Sequence, residues 1–305
     1  MTTTRAFPVP ERLRLIATDL DGTLIPHGST ISTRTMEALD AAEASGIHVV
    51  YVTGRPPRWL QPVIEVTGHT GYAIGANGSV LLDLAAGTTE VVRAIPADTA
   101  LRIAEELRRT VPDVVFGVET VDDIRVETDF HAARGRRPAE GLTPQRPPSI
   151  TQAGTVAELI DDEPIIKMIA ISPDSTPDEL LAVGRDTVGD LVSTTHSSTG
   201  TALIELGPFG VTKASTLEHL AQRLDVRAAE VIGFGDMPND LPMLQWSGVS
   251  YAMTGGHPAA VAAADHLAPP AADDGVAQVL EPHLAAVAGS GGAGDRPRAG
   301  AAHHS

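Results

Sequence analysis

Residues 12–24 read RLRLIATDLDGTL. The stretch over 12–19 is a short apolar, β-rich run bounded by the turn signal Asp21-Gly22, which predicts a buried strand ending in two carboxylates. Asp19 and Asp21 stand at i and i+2, so on extended chain they project to the same side. One carboxylate placed there can act as nucleophile and metal ligand. The other can give a proton to a leaving group and then take one from water. Gly22 lets the backbone approach a phosphate or adopt an unusual φ. DxDG alone is also the pattern of a solvated Asp-Gly turn; the apolar run directly before it makes DLDGTL specific.

The same punctuation recurs outward from this stretch. Helical spacing over 32–45, led by Ser32 or Thr33 and closed by Gly46, follows the first strand. IHVVYV (47–52) predicts a second buried strand and 72–75 a third. Asn77-Gly78 signals a hairpin turn, with 79–83 returning. This alternation predicts a parallel sheet with helices on both faces. It resumes late, with strands at 202–206, 230–235 and 250–253 and helices at 212–224, 241–246 and 275–284. The intervening segment carries a charge-rich helix (97–109), strands at 113–119 and 165–171, and a Pro/Arg-rich loop at 134–148. The expected organisation is a discontinuous core of 1–83 and 199–288, an inserted α/β module at 84–198, and a disordered Gly/Ala/Arg/His tail at 289–305.

Composition narrows the function. The 305 residues hold 22 basic and 39 acidic side chains, a formal net charge of −17. That balance argues against general nucleic-acid binding, which needs clustered Lys and Arg to displace counterions. There is no cysteine, hence no disulfide, thiolate zinc site, iron–sulfur cluster or thiol nucleophile. No apolar run approaches the roughly 18 residues of a membrane span. The N-terminal MTTTRAFPVPERLRL lacks a secretory apolar block, so a soluble, cytoplasmic protein is expected. Aromatics are only 3%, so Ala, Val, Leu and Ile must fill the core.

Three further segments set polar residues just beyond buried strands, where ligands sit in open α/β sheets. Thr53-Gly54-Arg55 follows IHVVYV. Its hydroxyl can donate to a phosphoryl oxygen beside the permissive Gly54, and Arg55 can add a fork to an anionic substrate. Lys213 opens a helix and is one of only two lysines, the other being Lys167. A lysine is a compact point charge suited to one phosphoryl oxygen. Gly235-Asp236-Met237-Pro238-Asn239-Asp240 follows EVIGF, and its two carboxylates and one amide suit a hard, oxygen-seeking cation. Asn239 or Asp240 also reads as a cap for the helix at 241–246, which is compatible with metal binding.

Taken in order, these segments resemble the haloacid-dehalogenase-like (HAD) superfamily of phosphohydrolases, in its Cof-type branch with a large α/β cap after the third core strand. The matching motifs are DLDGTL (19–24), TGR (53–55), GANGS (75–79), GPFGVTKASTLEHL (207–220), GDMPNDLPML (235–244) and DDGVAQVL (273–280). The resemblance implies a three-layer, Rossmann-like core and an inserted cap that selects the substrate. It implies Asp19 as nucleophile, Asp21 as acid and base, Mg²⁺ held by Asp19, the Asp21 carbonyl and Asp236, and phosphoryl contacts from Thr53 and Lys213. Gly22, Gly54, Arg55 and Asn239 would line the phosphate site, with Asn239 and Asp240 supporting the metal from behind. The chain departs from the family pattern at Thr254-Gly255-Gly256-His257 and at Pro270-Ala271-Ala272; His257 reads as a loop residue.

The implied activity is Mg²⁺-dependent hydrolysis of a small phosphorylated metabolite, a sugar phosphate before a nucleotide or cofactor phosphate. A phosphomutase of the same fold and a non-catalytic phosphometabolite sensor are the alternatives. Candidates for leaving-group contacts in the cap are Arg125, His131 and the loop at 134–137.

Overall fold

The computed structural model describes residues 7–134, 150–197 and 200–291. Of the loop at 134–148 and the tail at 289–305 singled out above, residues 135–148 and 292–305 lie outside the described residues.

In chain order the first half contains β1 (Leu15–Thr18), α1 (Thr33–Ala44), β2 (His48–Val52), α2 (Gln61–Thr67), β3 (Tyr72–Gly75), β4 (Val80–Asp83) and β5 (Thr88–Val91). Then come α3 (Ala97–Thr110), β6 (Val115–Glu119), β7 (Ile124–Glu127), α4 (Phe130–Arg134), β8 (Ile150–Ala153), α5 (Val156–Leu159), β9 (Lys167–Ile171), α6 (Pro177–Val188), β10 (Val192–Thr195) and β11 (Leu203–Pro208). The chain closes with α7 (Lys213–Arg223), β12 (Val231–Gly235), α8 (Leu241–Trp246), β13 (Val249–Met253), α9 (Pro258–Ala263), β14 (His266–Ala268) and α10 (Gly275–Gly291).

Two sheets result. The first has eight strands in the order β14-β13-β12-β1-β2-β3-β4-β5. From β14 to β3 neighbouring strands are parallel; β4 and β5 return antiparallel through the hairpin at Asn77-Gly78. Alternation along β1 explains the layers. Ile16 packs into a cluster with Leu39 of α1 and Val279 and Leu280 of α10. Leu15 and Ala17 face the other way, onto Leu217 and Leu220 of α7 and Met243 of α8. A strand buried on both faces is apolar at every position, which is why LIAT shows no polar alternation. Helix starts follow local chemistry: Ser32 caps α1 by accepting from the Thr35 amide at 3.0 Å.

The second sheet has six strands, β10-β11-β9-β6-β7-β8. One face packs on α3, α5 and α6 through Ile103, Leu107, Leu159, Leu180 and Ile204. Here the structure corrects one strand. The run at 202–206 was expected to resume the parallel core, but β11 lies between β9 and β10 and is antiparallel to both. An apolar strand buried on both faces looks the same in either sheet. Strand β5, beyond the expected end of the first core segment, instead belongs to the eight-stranded sheet. The last helix runs on to Gly291, past its expected end at Leu284. Among the described residues, no helix is long and apolar enough to cross a membrane.

Candidate active site

β1 lies between β2 and β12, all three parallel, so the ends of all three strands open on one edge. β1 delivers Asp19 and Asp21 to that edge, β2 delivers Thr53–Arg55, and β12 delivers Asp236. α7 brings Lys213 as its first residue.

Lys213 is fully buried. Its ammonium donates to Asp19 Oδ1 at 2.5 Å and to Asp240 Oδ1 at 2.6 Å. Burial alone would lower its pKa; the Asp19 and Asp240 charges outweigh burial and hold it above the ordinary lysine value. Asp240 is committed on both oxygens, because Oδ2 accepts from the amides of Asp236 and Met237 at 2.9 Å each. It therefore fixes both Lys213 and the loop bearing Asp236. Asp236 Oδ1 accepts from the Thr23 hydroxyl at 3.0 Å.

Ligand atoms of Asp19, Asp236 and Asp240 lie within 4.8 Å of one another, and all three residues are buried. Burial pushes the Asp19 carboxyl well up, against the pull of Lys213. Burial and then the Asp240 charge push Asp236 up to about 7. Three carboxylates face one ammonium, leaving a negative cluster that charge balance alone fits to a divalent cation.

Gly22 sits at φ +91°, and a Cβ on it would fall 2.2 Å from Asp236 Oδ2. The turn after Asp21 thus needs glycine for its dihedral and for the close approach of the Asp236 carboxylate.

Thr53 is buried, and its hydroxyl oxygen accepts from the Arg55 amide at 3.1 Å. Arg55 departs from its reading as a fork for substrate: the fork closes on Asp21, with Nε donating to Oδ2 at 2.8 Å and Nη2 to Oδ1 at 2.5 Å. Asn239 donates to Asn77 Oδ1 at 3.1 Å, while its own carbonyl oxygen is buried without a partner.

The second sheet adds residues that the sequence did not single out as site residues. Lys167 opens β9 and is buried between Glu119 (2.9 Å), Glu205 (2.7 Å) and the Gly54 carbonyl (2.8 Å). Glu205 accepts from Asn77 Nδ2 at 3.1 Å. A polar chain therefore runs from Lys167 through Glu205 and Asn77 to Asn239. Arg58 pairs with Glu119 at 2.6 Å across the same junction. The rarity of lysine was the one available signal for Lys167.

A cavity of about 130 Å³ opens beside Lys213 and Asn239, lined on its other side by Arg185, Ser193, Thr194 and Thr195. The hydroxyls of Thr194 and Thr195 are buried without partners. The cap residues expected to meet a leaving group are placed otherwise. Arg125 is held by Asp161 and Glu163. His131 is exposed beside Phe130, and neither residue lines this cavity.

Residues 16–280 match the family model described as haloacid dehalogenase-like hydrolase. The chain belongs to that family. Among its curated relatives, this hydrolase is 28% identical over 273 residues to the pyridoxal phosphate phosphatase YbhA of Escherichia coli, covering 89% of this chain and 98% of that protein. It is 25% identical over 268 residues to the 5-amino-6-(5-phospho-D-ribitylamino)uracil phosphatase YcsE of Bacillus subtilis, covering 88% and 94%. Among solved structures, the HAD subclass IIB sugar phosphatase BT4131 shares its fold at a TM-score of 0.70 and 21% identity, covering 88% of this chain and 98% of that one.

Proposed function

We propose that this hydrolase, a HAD-type phosphatase, cleaves the phosphomonoester of a small phosphorylated metabolite by Mg²⁺-dependent transfer to Asp19. The observation that carries the reading is the buried group of Asp19, Asp236 and Asp240 around Lys213. Asp19, the Asp21 backbone carbonyl and Asp236 would hold the cation, which supplies positive charge to the phosphoryl oxygens.

The side chains divide the remaining work. Lys213 occupies Asp19 Oδ1, so Oδ2 is the oxygen for attack on phosphorus. The P–O bond to the leaving group breaks as the aspartyl-phosphate forms, and Asp21 gives the leaving oxygen its proton. Asp21 then takes a proton from the water that attacks the phosphoryl phosphorus, which regenerates Asp19 and releases phosphate. The Arg55 fork orients Asp21 for both transfers. Thr53 accepts from a backbone amide, which leaves its own proton to donate to a phosphoryl oxygen. Phosphoryl transfer asks mainly for such positioning and charge neutralisation.

The second sheet acts as the cap. Sheet membership supports crossovers at 92–94 and 209–212, between β5 and α3 and between β11 and α7, rather than at 83/84 and 198/199. Thr194, Thr195 and Asn239 line the cavity beneath it, and each holds a buried side-chain oxygen without a partner. That lining suits a leaving group rich in hydroxyls, so a sugar phosphate is favoured over a nucleotide or cofactor phosphate. The pyridoxal phosphate activity named for the Escherichia coli relative makes that ester the first cofactor phosphate to include.

The test is phosphate release from a metabolite panel, with Mg²⁺ and with EDTA. Release by the wild type in Mg²⁺ alone, lost in D19N, is expected. Tight binding of one metabolite without release would point to the sensor reading, and an isomerised hexose phosphate to the mutase.

A further inference from the structure

Asp178, in the first turn of α6, hydrogen-bonds to the His196 imidazole and stands within ion-pair distance of the His257 imidazole. His196 Nε2 lies 3.0 Å from its Oδ1, and His257 Nε2 lies 3.3 Å from the same oxygen. The rings meet edge to face at 5.6 Å. Asp178 and His196 belong to the unit of the second sheet. His257 caps α9 in the first, and its amide donates to the Asp236 carbonyl at 2.7 Å. The trio therefore spans the cleft between the units. Strand register gives its place: Val192 pairs with Pro208 at the return crossover, and His196 lies four residues further on, just past the end of β10. That is about 13 Å from the hinge at ~3.3 Å per residue. Between them, Ser193, Thr194 and Thr195 line the cavity.

His, His and Asp are also metal ligands by type, but their surroundings argue against that use. A metal-bound imidazole donates from its other nitrogen to a carbonyl or carboxylate. His257 Nδ1 instead accepts from the Ala259 amide at 3.2 Å, so its proton sits on Nε2, the atom a metal would need. His196 Nδ1 is buried without a partner.

We propose that Asp178 is a positioning residue that clasps the cap unit to the loop carrying Asp236 and so sets the closed arrangement over the cavity. A leaving group in the cavity touches both units, so its entry requires them to part, and the clasp joins the units one residue beyond Thr195 of the cavity lining. Its consequence for turnover rests on the phosphatase reading; its existence does not.

The experiment uses the absence of cysteine in the chain. Spin labels go on Leu101→Cys in α3 and Leu267→Cys in β14, both exposed positions, one in each unit. Label distances are measured in the full chain in MgCl₂ without substrate. The parent should give one narrow distribution. D178A should add a longer-distance population. H257N should add the same one while keeping α9 capped, since Asn is a good N-cap. The D178A/H257N double variant should add no more than either single change, because all remove one clasp. Asp178 is 69% exposed, so D178A leaves the fold intact. On a substrate from the panel, D178A should lower kcat/KM by roughly fivefold, with D178E recovering most of it. Unchanged distances in D178A would overturn the proposal. So would stoichiometric Zn²⁺ binding by the parent that D178A loses. Altered distances with no phosphatase activity on any ester would leave the clasp standing and remove only the catalytic reading.

Discussion

Lys213 shows how much one side chain fixes at this site. Among the described residues it is the one cation bonded to the Asp19–Asp236–Asp240 cluster, and it holds two of those carboxylates at once. K213M should abolish turnover. It should also cost about 3–5 kcal/mol in thermal or denaturant unfolding, the scale for removing one partner of a buried pair. Asp19, Asp21, Thr53, Lys213 and Asp236 were legible in the sequence because each follows an apolar strand or opens a helix within its own motif. The partner of Arg55 was not legible: nothing local says that its fork turns 34 residues back to Asp21. R55K should cost activity without unfolding the chain, because an ammonium cannot make the two-point contact that orients Asp21. Wild-type kcat/KM in R55K would remove Arg55 from the account.

Among elements, the turns between strand and helix carry the tightest constraints. Gly78 sits at φ +110°, and a Cβ there would fall 2.3 Å from the Thr212 carbonyl oxygen, just before Lys213. G78A should destabilise by about 2–3 kcal/mol, the scale of a strained non-glycine backbone, and should lower activity by shifting the start of α7. Unfolding melts and kcat of the purified variant check both effects. Six strands of the first sheet, β1–β4, β12 and β13, were readable because strand, turn and helix signals alternate at short range; the edge strands β5 and β14 were not read. β11 was readable as a strand but not as a member of the second sheet. Its apolar run satisfies either location, and its partners β9 and β10 are chosen by the insertion as a whole. Glu205, Asn77 and Lys167 escaped for the same reason: their meeting spans 128 residues between Asn77 and Glu205.

Across the whole molecule, the two units are joined by buried charge as well as by chain. Burial would lower the Lys167 pKa, but Glu119 and Glu205 hold it above the ordinary lysine value. Burial would raise Glu205, but Lys167 holds it below the ordinary glutamate value. A raised lysine contributes stability that is present below its unfolded pKa and is lost only as pH rises through the folded one. A depressed glutamate contributes stability present above about pH 4.3, lost as pH falls through its lowered value. This cluster thus favours the folded state from about pH 5 to 9. K167M leaves the buried Glu205 without its ammonium partner, so the folded pKa of Glu205 then rises above the unfolded one. Its melting temperature should fall as pH climbs from about 4.5 towards neutrality, a slope the wild-type cluster does not impose. A K167M melting curve parallel to the wild type across that range would show that the cluster is not coupled as drawn.

The formal charge of −17 takes on a local meaning at the same scale. Part of it is concentrated where the proposed Mg²⁺ would sit, so phosphate esters should bind far more weakly in EDTA than in Mg²⁺. The central claim, covalent transfer to Asp19, is open to one direct measurement. The wild type is mixed with substrate and Mg²⁺, quenched in acid, reduced with borohydride and digested, and the peptide spanning residue 19 is weighed. An aspartyl-phosphate is reduced to homoserine while a free carboxylate is not. The account predicts conversion at Asp19 in the wild type, and none without substrate or in D19N. Phosphate release with Asp19 unmodified, or wild-type turnover in D19N, would contradict it.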